Sequence, residues 1–271
     1  AEGKRYFLHI ASDSNYTVWM NGQLCAFGQY ADYPDYKVYD RVEITDFLRA
    51  GLNRMVTVVW YYGINSSTYV IGASGLIFEI VDEEGNMVTW SDESVLSRKS
   101  RDYISGKGHL ISGQLGPTYH YDMKGYDGFL SFGCEGFEKS HVVPTISKAF
   151  HIRPNRKLTL EPRVRGMVCR TGGFKYTTSD ERASVNMQYA AISGRYPHEM
   201  MKSGDMRFGS PVRFVSDSKE FDGVFFVVDL GEEAAGFLDI DLEVPSDCRL
   251  DVGFGEHLKD GVCRTSVRGF F

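Results

Sequence analysis

The feature that most constrains the fold is a run of alternating apolar and acidic residues in the C-terminal third of the chain. Its apolar members stand at every second position: Leu238, Ile240, Leu242 and Val244. The pattern resumes after a turn at 245–247, with Leu250, Val252 and Phe254 as its apolar members. Because a strand points successive side chains to opposite faces, this period predicts a strand, a turn and a second strand. The aliphatic side chains are expected in a core and the carboxylates in water.

The rest of the chain favours strands as well. Asn21-Gly22 separates two extended segments, and both residues tolerate the positive φ of a type I′ turn, so a hairpin is predicted there. The continuous apolar run 55–62 is typical of a strand that is covered on both faces. No segment longer than about ten residues has a helical apolar period. The sequence therefore predicts an all-β fold.

Composition limits the classes of partner. The 271 residues carry a net charge of −6, which argues against a nucleic-acid partner. Only Arg153 to Arg170 approaches the basic stripe that such a protein needs, and its alternation with Leu and Val favours an exposed strand face. No apolar run reaches the length of a membrane-spanning helix, and no membrane partner is predicted. The five cysteines are scattered, odd in number and without CxxC spacing, which favours buried free thiols over a disulfide framework or a zinc site.

Tyrosine-rich segments are the candidate binding sites. Aromatic residues make up 14% of the chain, and sugars place their apolar C–H faces on such rings and their hydroxyls on carboxylates. The candidates in one long loop and one later cluster are Tyr30, Tyr33, Asp35, Tyr36, Tyr119, Tyr121 and Asp122. Trp60, Tyr61 and Tyr62 form another aromatic group, at a strand end. For any one ring, packing in the core or at a strand edge is the alternative.

Several short motifs follow one another in the order in which a known protein family has them. They are Ile10–Asp13, Asn21-Gly22, 46–48, 51–53, 114–116, 160–163, 228–231, 235–237 and 255–261. Together they resemble the N-terminal β-sandwich region of bacterial α-L-rhamnosidases, glycoside hydrolase family 78. Residues 171–218 have no counterpart in that pattern.

The resemblance implies two consecutive antiparallel β-sandwiches. The first, over 1–140, would be galactose-binding-like with a jelly-roll topology, and the second, over 141–271, would precede a catalytic helical barrel that this sequence lacks. The chain would then be non-catalytic, with the missing catalytic domain and a rhamnose-containing glycan as partners. The resemblance favours a periplasmic or extracellular location, and the sequence itself shows no targeting signal.

Two other functions stay open. Glycoside hydrolysis needs two positioned carboxyl groups, and Glu256 with Asp260 is the best local pair, so the chain could be a complete glycosidase with Glu256 as acid. Turn chemistry at Asp260-Gly261 and an ordinary ion pair of Glu256 explain the same residues, and no catalytic residue is predicted. The other alternative is an adhesion or interaction sandwich without sugar specificity.

No cofactor is predicted, and calcium is the one metal to consider. Galactose-binding-like sandwiches often hold a calcium ion, and Asp13 and Asn15 carry suitable oxygen atoms. Calcium takes about six to eight oxygen ligands, however, and local turn hydrogen bonds explain this pair more simply. No metal site is predicted.

Overall fold

The computed structural model describes residues 3–104, 110–112, 116–117, 119–126, 128–130, 135–144, 147–162, 166–177, 189–192, 219–259 and 262–263. Regular structure in these residues consists of strands and two single 3₁₀ turns, Thr45–Phe47 and Met123–Gly125. The predicted all-β class is therefore confirmed. Among the described residues, no helix is both long and apolar enough to cross a bilayer.

The strands in the described part of the chain are β1 (Tyr6–Asp13), β2 (Asn15–Met20), β3 (Gln23–Gly28), β4 (Lys37–Glu43), β5 (Met55–Trp60), β6 (Gly75–Asp82), β7 (Met87–Trp90), β8 (Leu96–Ser97), β9 (Tyr103–Ile104), β10 (Leu110–Ser112), β11 (Gly116–Pro117), β12 (His120–Tyr121), β13 (Glu138–Lys139), β14 (Phe150–Ile152), β15 (Met167–Tyr176), β16 (Tyr189–Ile192), β17 (Gly223–Asp229), β18 (Leu258–Lys259) and β19 (Val262–Cys263).

The chain divides into two compact units, Ala1–Lys157 and Leu158–Phe271. In the first unit, a five-stranded sheet has the order β14-β4-β1-β6-β7 and a three-stranded sheet has the order β3-β2-β5. All neighbours in these two sheets are antiparallel except β14, which runs parallel to β4. The predicted domain ranges, 1–140 and 141–271, stay predictions.

The core of the first unit lies between its two sheets. In β2 alternate residues are buried, as the period of two requires, whereas in β1 consecutive residues are buried as well. The buried cluster consists of Leu8, Ile10, Tyr16, Val18, Met20, Ala26 and Ile44. Two sheets that share such a core form a β-sandwich. A galactose-binding-like topology stays a prediction.

The predicted hairpin at Asn21-Gly22 is confirmed. These two residues alone join β2 to β3, with φ of 53° and 85°, the positive values of a type I′ turn. The Asn21 side chain also ties the turn to the β4–β5 connection, because its Nδ2 donates to the Phe47 carbonyl at 2.9 Å and its Oδ1 accepts from the Arg54 amide at 3.0 Å.

Three connections leave the sandwich at the same end. The last residue of β1 lies opposite the first residue of β6, and the first residue of β2 lies opposite the last residue of β5. The last residue of β3, Gly28, lies opposite Tyr16 in β2. The β1–β2, β3–β4 and β5–β6 connections therefore come together. Their residues, 14, 29–36 and 61–74, are called the loop end.

The second unit holds a three-stranded sheet of order β16-β15-β17. Strand β17 ends at Asp229, before the alternating segment begins, and the expectation of two core strands over 238–254 is wrong. The alternating aliphatic residues lie outside any strand there, and their side chains are 41–64% exposed. An alternating pattern sets which way side chains point in an extended segment. Burial also requires a layer that covers them.

The predicted hairpin at 260–261 has its two flanking strands, since β18 and β19 pair antiparallel, while the turn residues lie outside the described part. The sequence favours buried free thiols for the cysteines, and the burial is wrong. The thiols of Cys25, Cys169, Cys248 and Cys263 are free, but Cys25 and Cys263 are half-buried and Cys169 and Cys248 are exposed. Cys134 lies outside the described residues.

Candidate functional site

A buried lysine forms the polar centre of the loop end. The Lys37 ammonium donates to Asp32 Oδ1 at 2.9 Å and to the Ser12 carbonyl at 3.1 Å, and it lies 3.9 Å from Asp13 Oδ2. The other Asp32 oxygen accepts from the Gln29 side-chain amide at 2.9 Å. Lys37 stands at the start of β4, next to the end of β1, so the strand register itself brings these groups together.

The carboxylate of Asp13 is held from its other side by hydroxyl groups. Its Oδ1 accepts from the Ser14 hydroxyl at 3.1 Å and from the Tyr69 hydroxyl. Burial, together with the bond to Asp13, raises the pKa of Tyr69 to about 12, so the hydroxyl stays a donor at neutral pH. Gly72 packs directly on Asp13, and a Cβ at that position would overlap Asp13 Oδ2 and approach Pro34 at 3.5 Å.

An aromatic row extends from this carboxylate. Six rings contact one another in the order Tyr69, Tyr62, Trp60, Tyr119, Tyr103 and Tyr121, with centroids 4.8–5.7 Å apart. Most of the contacts are edge to face, which is a favourable geometry for aromatic pairs. These contacts therefore hold the rings of the row in place. Tyr119 is the most exposed residue of the row, at 61%.

Two of the predicted site residues, Tyr121 and Asp122, have local structural roles. Burial and a hydrogen bond to the buried Asp102 raise the pKa of Tyr121 above its usual value. Asp122 caps a 3₁₀ turn, because its Oδ1 accepts from the Lys124 amide at 3.0 Å. Its own amide donates to the Asp102 carbonyl at 2.7 Å. Asp122 thus shapes the segment that carries the rings.

The predicted tyrosine loop presents rings to the outside. Tyr33 and Tyr36 face each other across a two-residue turn, joined by backbone hydrogen bonds of 3.4 and 3.0 Å. They are 61% and 51% exposed. Tyr36 also stacks on His151 with ring centroids 3.9 Å apart and an interplanar angle of 8°. One face of Tyr36 is therefore covered by the histidine.

The other two predicted loop residues lie on either side of this turn. Asp35 is exposed, and its backbone carbonyl accepts from the Ser147 hydroxyl at 3.4 Å. Tyr30 lies under the Arg153 guanidinium, 5.0 Å from its ring centroid, in a cation–π contact. The structure therefore places Tyr33, Asp35 and Tyr36 at the surface, while Tyr30 packs beneath a charged group.

Sequence reasoning missed an ionic cluster around Asp40. This carboxylate, whose side chain is 2% exposed, accepts from the Tyr16 hydroxyl and the Arg153 guanidinium, and it lies 3.2 Å from the Lys157 ammonium. Burial opposes its ionisation, but the hydrogen bonds from Arg153 and Tyr16 and the charge of Lys157 hold the pKa of Asp40 below its usual value. Arg153 is 113 residues away, so no local sequence signal connects the pair.

The two aromatic groups meet at the loop end. Gly72 lies between Asp13, which bonds the first ring of the aromatic row, and Pro34, which belongs to the tyrosine loop. Chemically, the loop end offers exposed tyrosine rings and hydroxyls. The carboxylates here are already bound within the chain, Asp32 by Lys37 and Asp13 by the hydroxyls of Ser14 and Tyr69. In the described ranges, no group of three or more His, Cys, Asp or Glu side chains is placed to hold a metal ion.

The class that the fold of the first unit defines is a β-sandwich. In particular, the chain is similar to the GH78 family rhamnosidase of Bacillus sp. GL1, with a TM-score of 0.57 and 21% identity. The match covers 65% of this chain and 19% of that chain. At this identity the similarity shows a shared fold, and the resemblance seen in the sequence is confirmed at that level.

Two further solved structures match less closely. They are the α-L-rhamnosidase from Dictyoglumus thermophilum (TM-score 0.41, 15% identity, 63% of this chain and 18% of that chain) and the Streptomyces avermitilis α-L-rhamnosidase complexed with L-rhamnose (0.43, 18%, 65% and 17%). No protein-family model matches the sequence, and no curated protein matches it. The matched region spans about a fifth of the length of these enzymes.

Proposed function

We propose that this chain is the non-catalytic N-terminal part of an α-L-rhamnosidase-like glycoside hydrolase, where it braces the catalytic domain and binds a rhamnose-containing glycan at the loop end. The observation that carries the proposal is the shared fold with 19% of a rhamnosidase chain. Most of that enzyme lies outside the matched region.

The carboxylates support a non-catalytic role. A glycosidase needs one carboxyl group to protonate the leaving oxygen and a second to act as base or nucleophile. The buried Asp13, Asp32 and Asp40 are bound to ammonium, guanidinium or hydroxyl groups of the chain itself. Glu256, the acid of the alternative hypothesis, is exposed, and its predicted partner Asp260 lies outside the described residues.

The bracing role is supported by exposed apolar side chains. Monomeric proteins rarely expose contiguous apolar patches larger than roughly a few hundred Å², and a larger patch marks an interaction site. In the second unit, the alternating aliphatic residues of 238–254 are exposed although their pattern is that of a buried face. A neighbouring domain of the same protein would supply the layer that covers them.

Carbohydrate binding is supported by the exposed rings of the loop end. Tyr33 and Tyr36 present a hydroxyl and at least one open face each, and the carboxylate of Asp35 lies between them in sequence. Tyr119 offers a third face at the aromatic row. Such surfaces stack on the apolar face of a pyranose and accept its hydroxyl protons.

The test is a titration of the purified chain with rhamnose-containing oligosaccharides, followed by calorimetry. We expect Tyr33→Ala, Tyr36→Ala and Tyr119→Ala each to weaken binding about two- to tenfold, since a lost aromatic contact is worth roughly 0.5–1.5 kcal/mol. Tyr176→Ala, a partly exposed tyrosine of the second unit, serves as the matched control and should bind like the parent chain.

Two outcomes would contradict the proposal. A chain that binds no glycan in this titration would remove the carbohydrate-binding function and favour an interaction sandwich without sugar specificity. Turnover of p-nitrophenyl α-L-rhamnoside by the purified chain, lost in Glu256→Gln, would show a complete glycosidase instead.

A further inference from the structure

The calcium ion that the galactose-binding-like resemblance implies does not fit the residues of this loop end. Of its two candidate ligands, Asn15 uses its side-chain oxygen to accept from the Tyr16 amide at 2.9 Å and its nitrogen to donate to the Tyr62 hydroxyl at 3.2 Å. Asp13 Oδ1 is bound to the hydroxyls of Ser14 and Tyr69. The two side chains therefore supply no shared set of oxygen ligands.

A cation of the chain itself stands at the centre of the site. Three oxygen atoms, two from the end of β1 and one from the β3–β4 connection, surround the Lys37 ammonium. They are the Ser12 carbonyl at 3.1 Å, Asp13 Oδ2 at 3.9 Å and Asp32 Oδ1 at 2.9 Å. Two carboxylates and a backbone carbonyl are the ligand types that calcium prefers, and here they are arranged around a nitrogen. The side chains of Lys37, Asp32 and Asp13 are 11%, 7% and 9% exposed.

The oxygen atoms that face away from Lys37 are also committed. Asp32 Oδ2 accepts from the Val38 amide at 2.8 Å and from the Gln29 side chain at 2.9 Å. Gln29 in turn accepts from the Ser12 amide at 3.0 Å and donates to the Val38 carbonyl at 2.6 Å. A six- to eight-coordinate ion would have to displace both the ammonium and these donors.

We propose that the ammonium of Lys37 takes the place of a metal ion at the loop end. It ties the end of β1, through Ser12 and Asp13, to the β3–β4 connection, through Asp32. This tether keeps the shape of the loop end independent of calcium. The inference concerns the sandwich itself and holds whether or not the loops bind carbohydrate.

The first test compares thermal unfolding of the whole chain in millimolar calcium and in excess chelator. We expect unfolding midpoints that agree to within about 1 °C, because a ligand that does not bind the native state cannot shift its stability. A calcium-dependent rise of about 5 °C or more, abolished in Asp13→Asn, would overturn the inference, since saturating one native site is worth several kcal/mol.

The second test removes the ammonium and keeps an unbranched apolar side chain that is one atom shorter. Lys37→Met should lower the unfolding midpoint by about 10 °C, because it leaves two poorly hydrated carboxylates without their cation. Adding Asp32→Asn to that variant should recover part of the loss, since one of the two charges is then removed. A Lys37→Met chain as stable as the parent, or a double variant less stable than the single one, contradicts the tether.

Lys4→Met is the matched control. Lys4 also lies near a carboxylate, 3.5 Å from Asp82, but its side chain is 46% exposed, so its removal should change the midpoint by no more than about 2 °C. If Lys37→Met does not fold, the calcium comparison on the parent chain decides the question alone.

Discussion

The buried carboxylate of Asp40 is stabilised by charged and polar partners in the first unit. Asp40 lies in β4 with its oxygen atoms toward Tyr16, Arg153 and Lys157. Gly28 makes room for this group, because a Cβ there would approach Asp40 Oδ2 at 3.0 Å. A buried carboxylate is stable only where donors replace its water, and here two cations and a hydroxyl do so.

Replacing Asp40 with Asn should destabilise the chain. The substitution leaves Arg153 and Lys157 close together and partly buried without their counter-ion, and we expect a loss of about 3 kcal/mol in the free energy of unfolding. Urea denaturation at neutral pH measures this loss. Glu93→Gln removes an exposed carboxylate and should leave the free energy unchanged. An Asp40→Asn chain that matches this control would contradict the electrostatic role of the cluster.

The same residue predicts a pH dependence. Its pKa in the folded chain lies below the ordinary value of 3.8, so its ionised form stabilises the fold at neutral pH and that contribution is lost as the pH falls toward the lower folded pKa. The parent chain should therefore lose stability between about pH 5 and pH 2 more steeply than Asp40→Asn. Equal slopes for the two chains over this range would show that the carboxylate is not the source.

At the scale of elements, the hairpin at Asn21-Gly22 does more than reverse the chain. The Asn21 side chain bonds the Phe47 carbonyl, the Asn53 side chain at 2.8 Å and the Arg54 amide, so the turn fastens the β4–β5 connection. Its positive φ of 53° is a further requirement, which asparagine meets better than most residues. The two requirements can be separated by substitution.

Asn21→Ala should cost about 3 kcal/mol and Asn21→Gly about 2 kcal/mol in the free energy of unfolding. Both substitutions remove the three side-chain hydrogen bonds, but only alanine is strained at positive φ, and the difference between the two measures that strain. Chemical denaturation of the two variants tests this. If glycine is as stable as asparagine, the side-chain bonds contribute nothing to the fold.

The alternating segment 238–254 illustrates the limit of a periodic pattern. Its spacing predicts an extended segment with one apolar side, and the expected strands do not form in the described residues. In β2 the same period does give a buried face, because Tyr16, Val18 and Met20 pack in the core between the two sheets. Period alone is the same in both places, and the covering layer makes the difference.

At the scale of the whole molecule, the segment after 140 contributes to the first unit. β14 pairs with β4 in the register Phe150 to Lys37, and Arg153 and Lys157 neutralise Asp40. The compact unit accordingly extends to Lys157. The stability of a shortened chain should therefore depend on whether it ends before or after this segment.

A chain of residues 1–157 should unfold cooperatively, and a chain of residues 1–140 should unfold about 10 °C lower, because it lacks β14 and both cations of the Asp40 cluster. Circular dichroism during heating measures both midpoints. The 1–157 chain carrying Arg153→Met should fall between them. Equal midpoints for the two lengths would instead support a domain boundary at 140.

The sequence alone determined the all-β class and the Asn21-Gly22 hairpin, and it named the surface tyrosines Tyr33, Tyr36 and Tyr119. These follow from local properties: a period of two, tolerance of positive φ, and residue type. Only the tertiary structure decided that Lys37 lies among Asp32, Asp13 and Ser12, and that Arg153 reaches Asp40 across 113 residues. Charge pairing of this kind depends on strand register and sheet order, which no short stretch of sequence contains.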